Sequence, residues 1–151
     1  MQAKDIMTVN LITVTPDTKV EKAAELMARN NISGLLVLDD TGKLVGIVSE
    51  GDLLGKHKKI DPPAYFELLG GIILLESQKR FLSELKKYAA VEVGGMMTKD
   101  VKTIDETATL DEIATTMSEN SIKRLPVTKK GELVGIVSRS DILKAMSQDN
   151  K

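Results

Sequence analysis

The chain has 151 residues, of which 42% are hydrophobic and 28% are charged, a composition typical of one compact domain or of two small paired halves. A net charge of −1 and an aromatic content of 3% argue against a nucleic-acid-binding surface and against a basic membrane patch. The absence of cysteine excludes disulfides, zinc–thiolate sites and cysteine nucleophiles. Because the N-terminus has no signal-peptide core and the apolar runs are short, we expect a soluble cytoplasmic protein.

The first third of the chain predicts alternating strands and helices. A β-rich stretch, Leu11–Val14, comes first. The helix after it has an apolar stripe at spacing i, i+3, i+4 and i+7, made by Val20, Ala23, Ala24 and Met27. Two strands joined by a glycine-containing turn, and then a second helix, complete this part; their predicted ranges are Leu35–Asp39, Lys43–Ser49 and Glu50–Lys56.

The middle of the chain, residues 57–93, is an insertion without a counterpart elsewhere in the sequence. Residues 63–69 (PAYFELL) predict a short helix that begins at a proline and is broken by Gly70–Gly71. A second helix is predicted over residues 76–90, and Gly94–Gly95 should end it. Its apolar residues share one face: Phe81, Leu85 and Tyr88.

The last third of the chain repeats the first. At an offset of 90, Thr13 aligns with Thr103, and after one extra turn residue Leu44–Ser49 is identical to Leu133–Ser138. The same elements are therefore predicted again: a strand Val101–Ile104, a helix with its stripe at Leu110, Ile113, Ala114 and Met117, strands Leu125–Thr128 and Glu132–Ser138, and a helix Arg139–Ser147.

The repeated unit is β-α-β-β-α, which predicts an α/β (α+β) fold. We expect a first repeat over residues 1–56, the insertion over 57–93, a second repeat over 94–147 and a tail over 148–151. Each half has only about 50 residues, too few to bury a sufficient core alone. We therefore expect the halves to pack as a pseudo-twofold pair.

The same motif, G-h-h-S-x-x-D, where h is hydrophobic, joins the third strand of each repeat to the helix after it. A serine followed three residues later by an acidic residue is a helix capping box, so Ser49 with Asp52 and Ser138 with Asp141 have a purely structural interpretation. A capped helix start is also a good phosphate site. An aspartate at such a start can accept hydrogen bonds from the hydroxyls of a ribose.

Together these features resemble the CBS (cystathionine-β-synthase) domain pair, also called a Bateman module. The shared motifs are D-h-M-T at Asp5–Thr8 with its counterpart at Gly95–Thr98, a T-V first strand, a hydrophobic-Pro second strand at Leu125–Pro126, and G-h-h-S-x-x-D. The resemblance covers residues 5–54 and 95–146. It implies a stand-alone regulatory module that binds AMP, ADP or ATP and has no catalytic activity or required cofactor.

The resemblance further implies two ligand clefts, each of which takes one wall from each repeat. The aspartate resembles a ribose-hydroxyl acceptor, and the serine and a basic residue before the second strand usually meet phosphate. The first cleft would use Thr103, Ile104, Lys123, Arg124, Leu125 and Pro126 with Ser49 and Asp52. The second cleft would use Thr13, Val14, Ser33, Gly34 and Leu35 with Ser138, Arg139 and Asp141.

The two implied clefts differ in charge. Lys123 and Arg124 place two cations in the first cleft, whereas the second has Ser33–Gly34 there and Leu36 in place of the family's proline. Arg139 would supply the second cleft with a charge from its other wall. We expect the first cleft to be the stronger site for a phosphorylated ligand.

No residues are arranged for catalysis or metal binding. The only histidine, His57, lies in a basic stretch without partners, and no phosphate-binding or nucleophile motif is present. The alternatives to a nucleotide sensor are an oligomerisation scaffold with degenerate clefts and a sensor of S-adenosylmethionine or a cyclic dinucleotide. The family also implies a homodimer through the helices at residues 50–56 and 139–147, and an unidentified protein that the module regulates.

Overall fold

A computed structural model describes residues 1–55, 65–68, 71–74, 80, 85–87 and 89–148. The chain forms two compact units. The N-terminal unit comprises Val14–Val37 and Gly46–Lys99, and the C-terminal unit comprises Met1–Thr13, Leu38–Val45 and Asp100–Lys151. The helices and the two three-stranded sheets confirm the predicted mixed α/β class.

The first repeat contains the predicted β-α-β-β-α order of elements, preceded by a short helix that was not predicted. They are α1 (Ala3–Ile6), β1 (Thr13–Val14), α2 (Val20–Asn30), β2 (Gly34–Leu38), β3 (Leu44–Ser49) and α3 (Glu50–Gly55), with sheet order β1-β2-β3. The turn between β2 and β3 is closed by hydrogen bonds from Asp39 N–H to the Lys43 carbonyl and from Gly42 N–H to the Asp39 carbonyl. Gly42 has a φ of 84°, a conformation that favours glycine.

The insertion contains a β-hairpin where a helix was predicted. Residues 65–68 form β4 (Tyr65–Leu68), which pairs antiparallel with β5 (Gly71–Leu74) in the register Tyr65 to Leu74. The helix predicted over residues 63–69 is therefore wrong. The backbone hydrogen bonds of Tyr65–Leu68 are made to a second strand, and aromatic and β-branched residues are common in such pairs.

The second predicted helix of the insertion falls largely outside the described residues. Residues 80 and 85–87 are helical, and the Ala89 N–H donates to the Leu85 carbonyl. Phe81 and Tyr88, from the predicted apolar face, lie outside the described residues. Gly94–Gly95 does not end this helix as predicted, because residues 89–92 are already non-helical and the two glycines belong to a separate 3-10 turn, Val93–Gly95.

The second repeat has the same β-α-β-β-α order of elements. They are β6 (Ile104–Asp105), α4 (Leu110–Glu119), β7 (Arg124–Lys129), β8 (Glu132–Ser138) and α5 (Arg139–Gln148), with sheet order β6-β7-β8. β6 pairs parallel with β7, and β7 pairs antiparallel with β8. β6 begins later than the predicted Val101, because only Ile104 and Asp105 have partners on β7.

The apolar helix stripes are narrower than predicted. Val20, Ala23 and Met27 are buried on α2, and Ile113 and Met117 on α4, but Ala24 and Ala114 are exposed. In the C-terminal unit the core is one cluster of buried side chains, contributed by Ala3, Ile113, Met117, Leu125, Val127, Val137 and Ile142.

Each unit also includes the segment that precedes the other repeat: Met1–Thr13 belongs to the C-terminal unit, and the residues just before Asp100 belong to the N-terminal unit. In the C-terminal unit, Thr8 forms an antiparallel bridge with Ile136 on β8, with N–H to carbonyl distances of 2.9 and 3.0 Å. In the N-terminal unit, Thr98 forms the matching bridge with Ile47 on β3, at 2.9 and 3.0 Å. Both D-h-M-T-type segments are thus bonded to a strand that lies far away in sequence.

Candidate functional site

The first S-x-x-D motif forms a capped helix start in the N-terminal unit. The Ser49 N–H and Oγ–H both donate to Asp52 Oδ2, at 2.8 and 3.1 Å. The Asp52 N–H donates in return to Ser49 Oγ at 3.4 Å. This reciprocal pattern is the predicted capping box. Because Oδ2 of Asp52 is held by the cap, Oδ1 is the oxygen available to a further partner.

In the second S-x-x-D motif, which lies in the C-terminal unit, the serine makes the same two hydrogen bonds to its aspartate. The Ser138 N–H and Oγ–H donate to Asp141 Oδ2, at 2.8 and 2.6 Å. Ser138 Oγ also lies 2.7 Å from Ser140 Oγ, a contact for which the first repeat has no hydroxyl because Gly51 occupies the matching position. The two helix starts therefore share a cap but differ in their polar surroundings.

Each helix start is tied to the residue that precedes the second strand of its own repeat. The Glu50 N–H donates to the Ser33 carbonyl at 3.0 Å, and the Arg139 N–H donates to the Lys123 carbonyl at 3.0 Å. Arg124, at the start of β7, is the register partner of Ser138 at the end of β8. Each unit therefore brings strand start and helix start together: Ser33, Gly34, Ser49 and Asp52 in one unit, and Lys123, Arg124, Ser138 and Asp141 in the other.

Several predicted site residues are buried. Leu35, Leu125 and Pro126 are fully buried, and Val14 is nearly so. The Leu125 side chain belongs to the core cluster of the C-terminal unit. These residues shape the strands from inside, and they present little surface that a ligand could touch without rearrangement.

The predicted threonines lie at the start of the first strands and are exposed. Thr13 begins β1, and Thr103 directly precedes β6, where Ile104 is half-buried. The turn after β6 is held by Asp105, whose Oδ1 accepts from Thr107 Oγ1 at 2.6 Å and from Thr107 N–H at 3.0 Å. Both hydrogen bonds lower the pKa of Asp105 below its usual value, and the bond from the Thr107 side chain has the larger effect.

A lysine that belongs to none of the predicted site motifs lies beside Asp52. Lys87, from the helical turn at residues 85–87, places its Nζ 3.8 Å from Asp52 Oδ1. The Lys87 side chain is 45% exposed and that of Asp52 is 18% exposed. In the sequence nothing distinguishes Lys87 from its neighbour Lys86, because the contact joins residues that are far apart in the chain.

The strand glycine of each motif lies under a methionine. A Cβ on Gly46 would lie 2.5 Å from Met97 Sδ, and a Cβ on Gly135 would lie 2.5 Å from Met7 Sδ. These are the methionines of the two D-h-M-T-type segments, so the repeated glycine leaves room for a side chain from a distant segment.

Neither a metal site nor a membrane span is found among the described residues. No cluster of three or more His, Cys, Asp or Glu side chains in this part of the chain could hold a metal ion. None of its helices combines the length and the hydrophobicity needed to cross a bilayer. His57, for which no catalytic role was predicted, lies outside the described ranges.

Comparison with known families assigns the chain to one of them. The model of the CBS domain matches residues 3–58 and 92–148, which is most of the chain. The protein therefore belongs to the CBS domain family and carries two copies of the domain, as the sequence resemblance predicted.

Similar proteins come from archaea and plants. The uncharacterized protein MJ1426 of Methanocaldococcus jannaschii is 33% identical over 154 residues, covering 97% of this chain and 91% of that protein. The chloroplastic CBS domain-containing protein CBSX2 of Arabidopsis thaliana is 32% identical over 145 residues, which span 92% of this chain and 60% of CBSX2.

Two similar solved structures contain ligands. The structure of CBSX2 in complex with AMP has a TM-score of 0.80 and 29% identity, and the match covers 99% of both chains. The CBS domain pair of MJ0100 in complex with 5′-methylthioadenosine and S-adenosyl-L-methionine has a TM-score of 0.72 and 25% identity, covering 99% of this chain and 98% of that one.

Proposed function

We propose that the protein is a regulatory module that binds an adenine nucleotide and has no catalytic activity of its own. The observation that carries the proposal is the pair of capped S-x-x-D helix starts, in which Asp52 and Asp141 each keep one carboxylate oxygen outside the cap. A ribose offers two hydroxyl donors, and a carboxylate oxygen at a helix start is a suitable acceptor for them. The AMP bound to CBSX2 and the adenosyl compounds bound to MJ0100 support the same ligand class.

The proposed ligand contacts follow the pairing that the family resemblance implies. Asp52 would accept the ribose hydroxyls of a ligand whose phosphate is met by Ser49 and by Lys123–Arg124. Asp141 would do so for a ligand whose phosphate is met by Ser138 and Arg139. Lys123, just before β7, and Arg124, its first residue, support a stronger phosphate interaction at the first site, since charge-assisted hydrogen bonds are about twice as strong as neutral ones.

Nucleotide binding is tested by thermal denaturation of the full chain with single compounds. At a ligand concentration about 100 times its Kd, the melting temperature should rise by roughly 5–10 °C, because a ligand that binds only the folded state stabilises it by about 2.7 kcal/mol. AMP, ADP, ATP, S-adenosylmethionine and 5′-methylthioadenosine would be compared, with GMP as the control.

The ranking of these shifts identifies the ligand. AMP, ADP or ATP should give the largest increase. A larger increase with S-adenosylmethionine would move the proposal to that ligand. No shift with any adenosyl compound would contradict the nucleotide sensor and would favour an oligomerisation scaffold.

We further propose that the protein forms a homodimer through α3 and α5, and that ligand binding changes how it docks to a regulated protein. Leu54 on α3 and Leu143 on α5 occupy matching positions in the two repeats, and the two residues are 68% and 67% exposed. Met146, one turn after Leu143, is also exposed. Exposed apolar residues that recur at matching helix positions are suited to an interface.

Substitution of both leucines tests this interface. The double variant Leu54→Glu/Leu143→Glu should be monomeric at concentrations where the wild type is dimeric, because each buried leucine contributes roughly 1.5–3 kcal/mol. Light scattering after size exclusion measures the mass. Val9→Glu is the control, since Val9 is 62% exposed but lies outside the helices. A monomeric wild type, or a double variant that remains dimeric, would contradict the proposed interface.

A further inference from the structure

The two helix starts differ in their fixed charges. α3 begins with Glu50 and carries Asp52 in its first turn, so its start has two carboxylates. α5 begins with Arg139, at the position that matches Glu50, and carries Asp141. The start of α5 therefore has a cation beside its aspartate, whereas the start of α3 has a second anion.

Lys87 places a cation beside the start of α3. Its Nζ lies 3.8 Å from Asp52 Oδ1, the oxygen that the cap leaves available. At this distance the ammonium is beyond hydrogen-bond range, so it offsets the charge of Oδ1 without occupying its lone pairs. Asp141 has Arg139 two positions earlier in the chain.

An anionic ligand is affected by this difference. A nucleoside phosphate that approaches Glu50 and Asp52 meets two like charges, and like charges near a binding site disfavour association. A lysine ammonium has three donors on a flexible stem, so Lys87 can also turn one of them toward a phosphate oxygen while Oδ1 accepts a ribose hydroxyl.

We propose that Lys87, a residue of the insertion, is a specificity-determining residue that increases the preference of the Asp52 half-site for phosphorylated over uncharged adenosyl ligands. This inference rests on the proposed nucleotide-binding function and adds to it a role for the insertion. Lys87 acts on the charged part of the ligand, so its removal changes the preference between a nucleotide and its uncharged nucleoside. The cap between Ser49 and Asp52 does not include Lys87 and should survive its removal.

Calorimetric titration of the full chain with AMP and with adenosine tests the proposal. Lys87→Gln should weaken AMP binding by roughly three- to fivefold, the range for a partly exposed charge, and should change adenosine binding by less than about twofold. Lys87→Arg keeps the charge and should retain the AMP affinity. Lys86→Gln is the matched control, because Lys86 is the adjacent exposed lysine and its loss changes the net charge equally.

The possible results are distinct. Equal weakening by Lys87→Gln and Lys86→Gln would reduce the effect to overall charge, and equal loss of AMP and adenosine would make Lys87 a structural residue; both overturn the proposal. Tighter binding of both ligands to Lys87→Gln would mean that the lysine competes with the ribose, which also overturns it. If the wild type bound neither compound, the nucleotide-binding function itself would be wrong and the inference would fall with it.

Discussion

Replacement of Asp52 by alanine is expected to weaken AMP binding by about tenfold or more. A hydrogen bond to a charged group contributes about 1.5–3 kcal/mol, and each 1.4 kcal/mol is a factor of ten in affinity. The same substitution removes the acceptor of the Ser49 cap, which should cost about 1 kcal/mol of folding stability. Calorimetry and thermal denaturation of one sample separate the two effects.

Asp141 is the matched control for Asp52, because it accepts the same two hydrogen bonds from the serine of its own motif. Asp141→Ala should lower the melting temperature by a similar amount. It should weaken AMP binding at the stronger site less than Asp52→Ala does. Unchanged AMP affinity together with a lower melting temperature in Asp52→Ala would mean that Asp52 is only a cap. Equal losses of affinity in the two variants would contradict the proposed inequality of the sites.

Replacement of Gly135 by alanine is expected to destabilise the C-terminal unit by about 1–3 kcal/mol, the usual cost of overpacking. The added Cβ would lie 2.5 Å from Met7 Sδ, 2.9 Å from its Cγ and 3.2 Å from its Cβ. Because three atoms along the methionine are too close, a rotation at its end cannot relieve the clash. Urea denaturation measures the change in the free energy of unfolding.

Shortening the methionine should relieve the clash. Met7→Ala has a cost of its own, but in its presence Gly135→Ala should cost much less, so the double-mutant cycle should give a coupling of at least about 0.5 kcal/mol. Gly51→Ala is the control for a glycine substitution in general, since its Cβ would meet only Ser49 Oγ at 3.6 Å. Additive costs of Met7→Ala and Gly135→Ala would show that the methionine does not occupy this space.

Local sequence patterns were sufficient to predict most of the secondary structure. The strand predicted over Glu132–Ser138 agrees with β8 residue for residue, and both S-x-x-D motifs form caps. These features depend on residues within a few positions of one another, and such contacts are encoded in the local order of side chains. The helix predicted over residues 63–69 failed because Tyr65–Leu68 has a strand partner, which local propensity does not include.

The repeat also predicted the fold family, and family membership is confirmed over both copies. A duplicated motif reports the architecture well, because two copies of one β-α-β-β-α unit restrict the possible arrangements. The same duplication concealed a difference. Asp52 and Asp141 lie in nearly identical motifs, but Glu50 and Arg139 give the two helix starts different charges, and Lys87 adds a cation beside Asp52.

The sequence by itself determined the order of the elements, the capped helix starts and the family, because each of these follows from short-range patterns or from self-similarity. Only the tertiary structure decided which distant segments meet. It places Met7 over Gly135 and Met97 over Gly46, and it brings Lys87 to Asp52. Such contacts depend on how the backbone closes over long stretches of chain, and neither the spacing nor the type of a residue records which distant partner it will meet.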